Sequence, residues 1–197
     1  KELGVKFYCH HDVTEIKIEN GVATKVLAKK IDAETAIQTF HADVVIGGAD
    51  YHFVETKLLE PKYQSYSEKY WDKRVMAPSS LLYYVGLNKK LSNVLHHTLF
   101  FDVSFDVHGK EIYTDPKWPT TPLFYVCTPS VTDNTVAPAG GENLFFLIPV
   151  ASGLEGDTEE LRDRYFDQIV TRFENRTGQQ LKDSIVFKKS FSVSDFK

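Results

Sequence analysis

Cysteine is scarce in this 197-residue chain, with only Cys9 and Cys127, more than a hundred positions apart. Two isolated thiols make no disulfide framework and offer no CxxC pair, so a reducing, cytosolic setting is expected. Long apolar runs are missing as well. None approaches the ~20 residues that a membrane-spanning helix needs, and no secretory signal is read. Basic clusters are also missing: 23 Lys and Arg are scattered among 27 Asp and Glu, for a net charge of −4. Nucleic acid needs a dense basic face to neutralise its phosphates, so it is not expected as a partner. The chain has no internal repeat, no low-complexity tract, no GxSxG elbow and no HExxH or GxGxxG motif, which removes the usual sequence marks of a hydrolase, a zinc protease and a complete dinucleotide fold.

Aromatic and aliphatic residues are plentiful. The chain is 42% hydrophobic and 13% aromatic, enough for a large core. The first fifty residues read as strands. Residues 5–8 form a short apolar run. Val13, Ile16 and Ile18, then Val22, Val26 and Ala28, flank Asn20-Gly21, and Asn-Gly between two such runs marks a hairpin because both residues tolerate positive φ. Residues 37–40 predict another strand, and the composition of 42–46 predicts a buried one. Asp50 is placed to cap a helix carrying Val54, Leu58 and Leu59, and a second helix is predicted over 63–71.

Beyond Ser79, four apolar strands are predicted, over 81–87, 98–101, 123–127 and 144–150. Strands this apolar should be covered on both faces. One long helix is clear, with Asp157 as its cap, Glu160 three residues on, an apolar stripe of Leu161, Tyr165, Ile169, Val170 and Phe173, and Gly178 as its stop. A short turn near 179–182 leads to a last strand beginning at Ile185. The fold class is α+β: a mostly antiparallel sheet with helices on one side, plus a separate strand-rich piece. The domains are drawn at 1–50 and 51–197.

Few residues suggest chemistry. His10-His11 and His96-His97 are adjacent pairs, and neighbours on a strand point to opposite faces, so neither pair is expected to share a metal. No metal site is expected. Gly47-Gly48-Ala49-Asp50 ends a predicted strand and opens a helix. Its glycines let backbone approach a flat or phosphorylated ligand, and a helix N-terminus offers free N–H groups to anions. A tight turn that merely needs small residues accounts for the motif equally well. Likewise, the aromatic strands suit either an apolar pocket or plain sheet core.

Taken together, these segments resemble the bacterial-type phytoene (carotenoid) desaturases, within the amine-oxidase-like flavoproteins. Residues 3–16 resemble the passage from a helix end into a flavin-domain strand, and 20–26 the hairpin after it. Residues 42–50 resemble a family strand ending in "GAD". Met76-Ala77-Pro78-Ser79-Ser80 resembles an "SPS" strand, His96-His97-Thr98 an "HHT" strand, and 125–150 a stretch containing Thr128-Pro129, Thr132-Asp133, Ala137-Pro138-Ala139-Gly140 and Pro149-Val150. Ser194-Asp195-Phe196 resembles a family "DF". The match covers the whole chain but only the middle of a typical family member.

The resemblance implies an oxidoreductase that removes hydrogen from a long apolar isoprenoid such as phytoene and passes it to FAD. It implies that Val13 meets the adenine through its backbone and that Gly47, Gly48, Ala49 and Asp50 pass close to the cofactor, with 51–197 as substrate domain. No catalytic residue is assigned. The chain alone is expected to be inert and to hold FAD weakly. A substrate drawn from a membrane implies peripheral contact at the inner face of a bilayer, through residues near 63–71 or 112–118. Related flavoenzymes (a ketolase or oxygenase, a retinol saturase, an amine-oxidase relative) and a stand-alone isoprenoid-binding domain are the alternatives.

Overall fold

A computed structural model of the chain describes residues 3–31, 36–75 and 78–196. It forms two compact units, Lys1–Arg74 and Val75–Lys197. By packing, the chain divides between Arg74 and Val75. The helical segment that follows Asp50 stays with the first unit because it packs on that unit's first strand.

The first unit holds an antiparallel sheet of β1 (His11–Glu19), β2 (Val22–Lys30) and β3 (Ile37–His41), in that order. Asn20 and Gly21 make the β1–β2 turn with φ of 52° and 80°, the paired left-handed geometry that matches strand twist. Helix α1 (Tyr51–Phe53) continues through a π-helical turn, Val54–Leu58. Asp50 caps it, its Oδ1 accepting from the Phe53 N–H at 2.9 Å. The strand predicted over 42–46 is absent. No described strand pairs with it, and Val44 and Ile46 are exposed; an apolar run becomes a strand only where a ladder partner takes its N–H and C=O groups. Residues 5–8 likewise belong to no strand. The helix predicted over 63–71 shrinks to α2 (Glu68–Trp71), preceded by a 3-10 turn at Pro61–Tyr63. Ser67 caps α2 through the Tyr70 N–H, and the Ser65 N–H goes to the buried Glu55 carboxylate at 2.6 Å. That amide is thereby held outside any helix.

The second unit is a five-stranded antiparallel sheet in the order β5-β6-β7-β4-β8, comprising β4 (Ser79–Leu87), β5 (His97–Phe100), β6 (Phe124–Cys127), β7 (Glu142–Val150) and β8 (Ile185–Phe191). Met76 and Ala77, which open the expected 76–80 match, lie outside the described residues. Helix α3 (Phe105–Tyr113) lies between β5 and β6 in the chain, and α4 (Glu159–Thr177) between β7 and β8. Thr158, not Asp157, caps α4, its Oγ1 accepting from the Leu161 N–H at 3.2 Å. Asp157 is engaged elsewhere, by Arg162 at 2.7 and 2.8 Å and by the Ser194 hydroxyl at 2.6 Å. Gly178 ends the helix with φ of 70°, a left-handed conformation that costs glycine nothing.

Burial along β7 alternates strictly, with Leu144, Phe146, Ile148 and Val150 buried and Phe145, Leu147 and Pro149 half-buried. Strand β4 repeats the pattern, with Leu81, Tyr83, Val85 and Leu87 inward. The inward set joins Tyr165, Phe166, Ile169, Val170 and Phe173 of α4 in one core. The stripe predicted for α4 thus covers one face of the sheet. The other face also carries apolar side chains, among them Leu82, Tyr84, Phe145 and Leu147, and these are only half-buried or exposed.

Candidate functional site

The first candidate lies on that second face. Leu99, Tyr125 and Leu147 project from neighbouring strands β5, β6 and β7, because period-2 alternation sends them opposite to Phe100, Phe124 or Val126, and Phe146. Helix α3 crosses one end of this face. Between helix and strands lies a cavity of about 300 Å3, lined by Leu99, Phe101, Phe105, His108, Ile112, Tyr113 and Leu147 among others. Its rim is open and greasy: Leu99, Phe101, Phe105 and Tyr113 are all more than half exposed. Strand alternation holds Leu99 out of the core, and Phe101, Phe105 and Tyr113 join it from the segment after β5 and from α3.

His108 fixes the helix to the sheet. It is buried, its Nδ1 accepts from the Leu123 N–H at 2.9 Å, and its Nε2 donates to the Pro149 carbonyl at 2.8 Å. With one nitrogen accepting and one donating, the ring is neutral. Burial pushes its pKa below the ordinary histidine value, opposed by the bond to Pro149. The sequence reading did not find α3. The signal was present, since Phe105, Gly109 and Ile112 follow a helical spacing, but Gly109 weakens it and His108 interrupts it.

The second candidate gathers most of the residues singled out from sequence. Val13, Gly47, Gly48 and Ala49 line one cavity of about 350 Å3 together with Ile16, Val26, Val54 and Leu58. Asp50 is not among its walls; its carboxylate caps α1. The idea of a helix N-terminus open to anions does not hold at this turn, because Asp50 already occupies it and α1 is three residues long. Gly47 has a packing reason, as a Cβ there would stand 3.3 Å from Val54 Cγ1, whereas a Cβ on Gly48 would meet nothing within 4 Å. Among the described residues, no basic side chain lines the cavity and one acidic residue, Asp12, does, so its walls offer no grip for a pyrophosphate.

The third grouping is one that strand alternation argued against. His97 opens β5 opposite Cys127 on β6. His96 lies just before the strand, in a bend, so alternation does not bind it, and its ring sits 4.2 Å from that of His97.

The regions suggested for bilayer contact are mostly committed to the fold. Trp118 donates its indole N–H to the Glu155 carbonyl at 2.7 Å. Tyr66 stacks on Tyr70 at 4.0 Å, with Trp71 edge-on to both. Among the described residues, no helix is long and apolar enough to cross a membrane.

The second unit is thus an antiparallel sheet backed by one long helix, within an α+β chain. A crystal structure of an oxidoreductase from Methanosarcina mazei superposes with a TM-score of 0.50, covering 92% of this chain and 37% of that one at 13% identity; the likeness is one of fold. The sequence is more specific. The chain is 37% identical over 196 residues to the carotenoid 3,4-desaturase of Haloarcula japonica, covering all of this chain and 38% of that protein. It is 29% identical over 150 residues to a zeta-carotene-forming phytoene desaturase of Myxococcus xanthus, covering 76% of this chain and 27% of that protein. It is 28% identical over 206 residues to a 4,4'-diapophytoene desaturase of Staphylococcus haemolyticus, covering all of this chain and 40% of that protein. No protein-family model matches. The chain is homologous along its length to the carotenoid and phytoene desaturases, and spans well under half the length of these relatives.

Proposed function

We propose that the protein to which this chain belongs is an FAD-dependent desaturase of a carotenoid precursor such as phytoene. The observation that carries the reading is the uncovered apolar face of the second unit. A polyisoprenoid has almost no polar handle, so its binding must come from burial, on the order of 25 cal/mol per Å2 of apolar surface removed from water. A sheet with one face spent on its core and the other left greasy supplies such a floor. Leu99, Tyr125 and Leu147 hold the chain, while α3, braced by His108, keeps water from one end. Bound FAD would accept the hydrogen and leave a new conjugated double bond on the substrate.

Within the first unit, Val13, Gly47, Gly48 and Ala49 would take the ring-bearing part of the cofactor, with Asp50 holding the turn through its cap. The assignment of 1–50 to flavin and 51–197 to substrate is part of this reading, with the helical segment up to Arg74 packed on the flavin side. The cavity's lack of cationic groups means that this chain alone retains FAD poorly and is inert. Gly48→Ala tests the cofactor side: it disturbs no described neighbour, so melting should be unchanged while flavin content of the complete protein falls.

The activity is tested by expressing the complete gene product in a host that accumulates phytoene. New long-wavelength absorption from a more conjugated product is expected. Unchanged phytoene, or a ketone or epoxide on the carotenoid, would overturn the desaturase reading in favour of another flavoenzyme or of a binding domain. Peripheral membrane contact fits the exposed rim of Phe101, Phe105 and Tyr113. Flotation of the protein with anionic vesicles, weakened by Phe101→Ser with Phe105→Ser, is the corresponding test.

A further inference from the structure

We propose that His96, His97 and Cys127 form a three-ligand site for a borderline-soft divalent metal ion, with zinc as the fitting member. One ligating atom from each of the three residues lies within 4.8 Å of the other two. Around tetrahedral zinc, with Zn–N of about 2.0–2.1 Å and Zn–S of about 2.3 Å, ligand atoms stand roughly 3.3–3.7 Å apart. Closing the difference takes about 1 Å of side-chain rotation. The backbone already provides the placement: His97 and Cys127 are cross-strand partners, and the bend before β5 turns His96 to the same side.

The surroundings prepare both imidazoles. His96 Nδ1 lies 2.6 Å from Thr132 Oγ1, and that hydroxyl donates onward to the Pro129 carbonyl at 3.3 Å. Thr132 therefore accepts from His96 Nδ1–H. His97 Nδ1 lies 2.6 Å from the Tyr125 hydroxyl, which can accept from His97 Nδ1–H as Thr132 does from His96. With Nδ1 of each ring engaged by an outer hydroxyl, Nε2 is left for a ligand, the arrangement by which outer partners orient metal-binding histidines. His96 and Cys127 are half-buried and His97 is exposed, so an ion can enter and a fourth position stays open to water. Zinc suits a set of two imidazoles and one thiolate, whereas calcium and magnesium prefer oxygen. The ion would tie the start of β5 to the end of β6, beside the proposed substrate floor.

The test is titration of the reduced, metal-free 197-residue chain with Co2+, a spectroscopic stand-in for zinc. It is done in a Cys9→Ser background, because Cys9 is exposed and next to His10-His11. One equivalent should bind with a thiolate-to-cobalt charge-transfer band that Zn2+ abolishes, and Zn2+ should raise the melting temperature. Cys127→Ser should lose the band while keeping its far-ultraviolet circular dichroism; Cys127→Ala serves should the serine variant fail to fold. His96→Gln, at a half-buried bend before the strand, should also weaken binding. Thr132→Val and Tyr125→Phe should each lower affinity by about 10–100-fold, the usual effect of removing an outer partner. A folded chain with no thiolate band, a band that survives loss of Cys127, or binding indifferent to His96 would overturn the site.

Discussion

Leu99 and Phe100 are adjacent on β5 and should respond in opposite ways to truncation. Phe100 is 6% exposed, stacks on Phe124 at 4.3 Å and stands 5.8 Å from Phe173 of α4. Phe100→Ala opens a cavity in the sealed core, and such changes cost about 3–5 kcal/mol. Leu99 is 64% exposed. Only about a third of its surface is out of water, and a third of the ~1.5–3 kcal/mol for burying a leucine is about 0.5–1 kcal/mol. At roughly 4 °C per kcal/mol for a unit of this size, Phe100→Ala should lower the melting temperature by about 12–20 °C and Leu99→Ala by about 2–4 °C. Thermal unfolding followed by circular dichroism reads both. In the complete protein, Leu99→Ala should impair turnover of a carotenoid precursor although its fold is intact. If the two variants are equally destabilised, the second face is core and the floor does not exist. If Leu99→Ala leaves turnover unchanged, the face is open but does not bind substrate.

Three further outcomes follow from the second unit. His108 has a folded pKa below its ordinary value of 6.5, so the stability it confers is full above pH 6.5 and is lost as pH falls below that; the urea midpoint should drop between pH 7.5 and pH 5.5, and less so in His108→Gln. The Arg162 guanidinium holds the Asp157 carboxyl far below the usual carboxylate range, and Asp157→Asn should cost about 2–3 kcal/mol as charged hydrogen bonds are lost, with Asp195 at 2.9 Å limiting the damage; a loss under 0.5 kcal/mol by urea denaturation would contradict the role given to this clasp. Gly178→Ala forces a Cβ into a left-handed position and should cost about 1–2 kcal/mol, Gly178→Asn less; equal melting temperatures for the two would mean that the cap geometry is wrong.

What the sequence reveals and what it hides divide by the range of the interactions. The Asn20-Gly21 hairpin, the Asp50 cap, the stripe on α4 and the Gly178 stop are local, set by residues within a turn of one another, and each is legible. The run at 42–46 has the composition of a strand, but pairing is a property of a partner that composition does not name. The cap of α4 lies one residue later than expected because Asp157 is taken by Arg162, and Ser194, from the far end of the unit, adds a further bond to the same carboxylate. That Val13 comes beside Gly47, Gly48 and Ala49 in one cavity depends on packing between distant segments, which neither composition nor spacing states. Alternation sets aside the His96-His97 pair, but the strand begins at His97, so the rule does not reach His96. Alternation carries the main functional clue: strands whose central positions are apolar on both faces, with one long helix on one side, leave apolar residues on the other.

That face raises a problem of polarity that His108 resolves. A floor for a polyisoprenoid must present almost no unpaired polar atoms, since each would hold water that the ligand cannot replace. Strands end, however, and where β6 begins and β7 finishes, the Leu123 N–H and the Pro149 carbonyl have no ladder partners between them. A neutral imidazole is suited to take one donor and one acceptor at once. By inserting His108 from α3, the fold satisfies both groups and pins the helix over the end of the floor in the same step. The cavity wall beside it is then Leu99, Phe105, Ile112 and Leu147. His108→Ala would strand both backbone groups beside apolar surface, a cost of about 1–3 kcal/mol each. In the complete protein it should disturb binding of an apolar substrate more than Leu99→Ala does, while His108→Gln, which keeps a donor and an acceptor, should restore part of the loss. A His108→Ala variant as stable and as active as the parent would show that water can serve there, and that dryness of the floor is not what the imidazole provides.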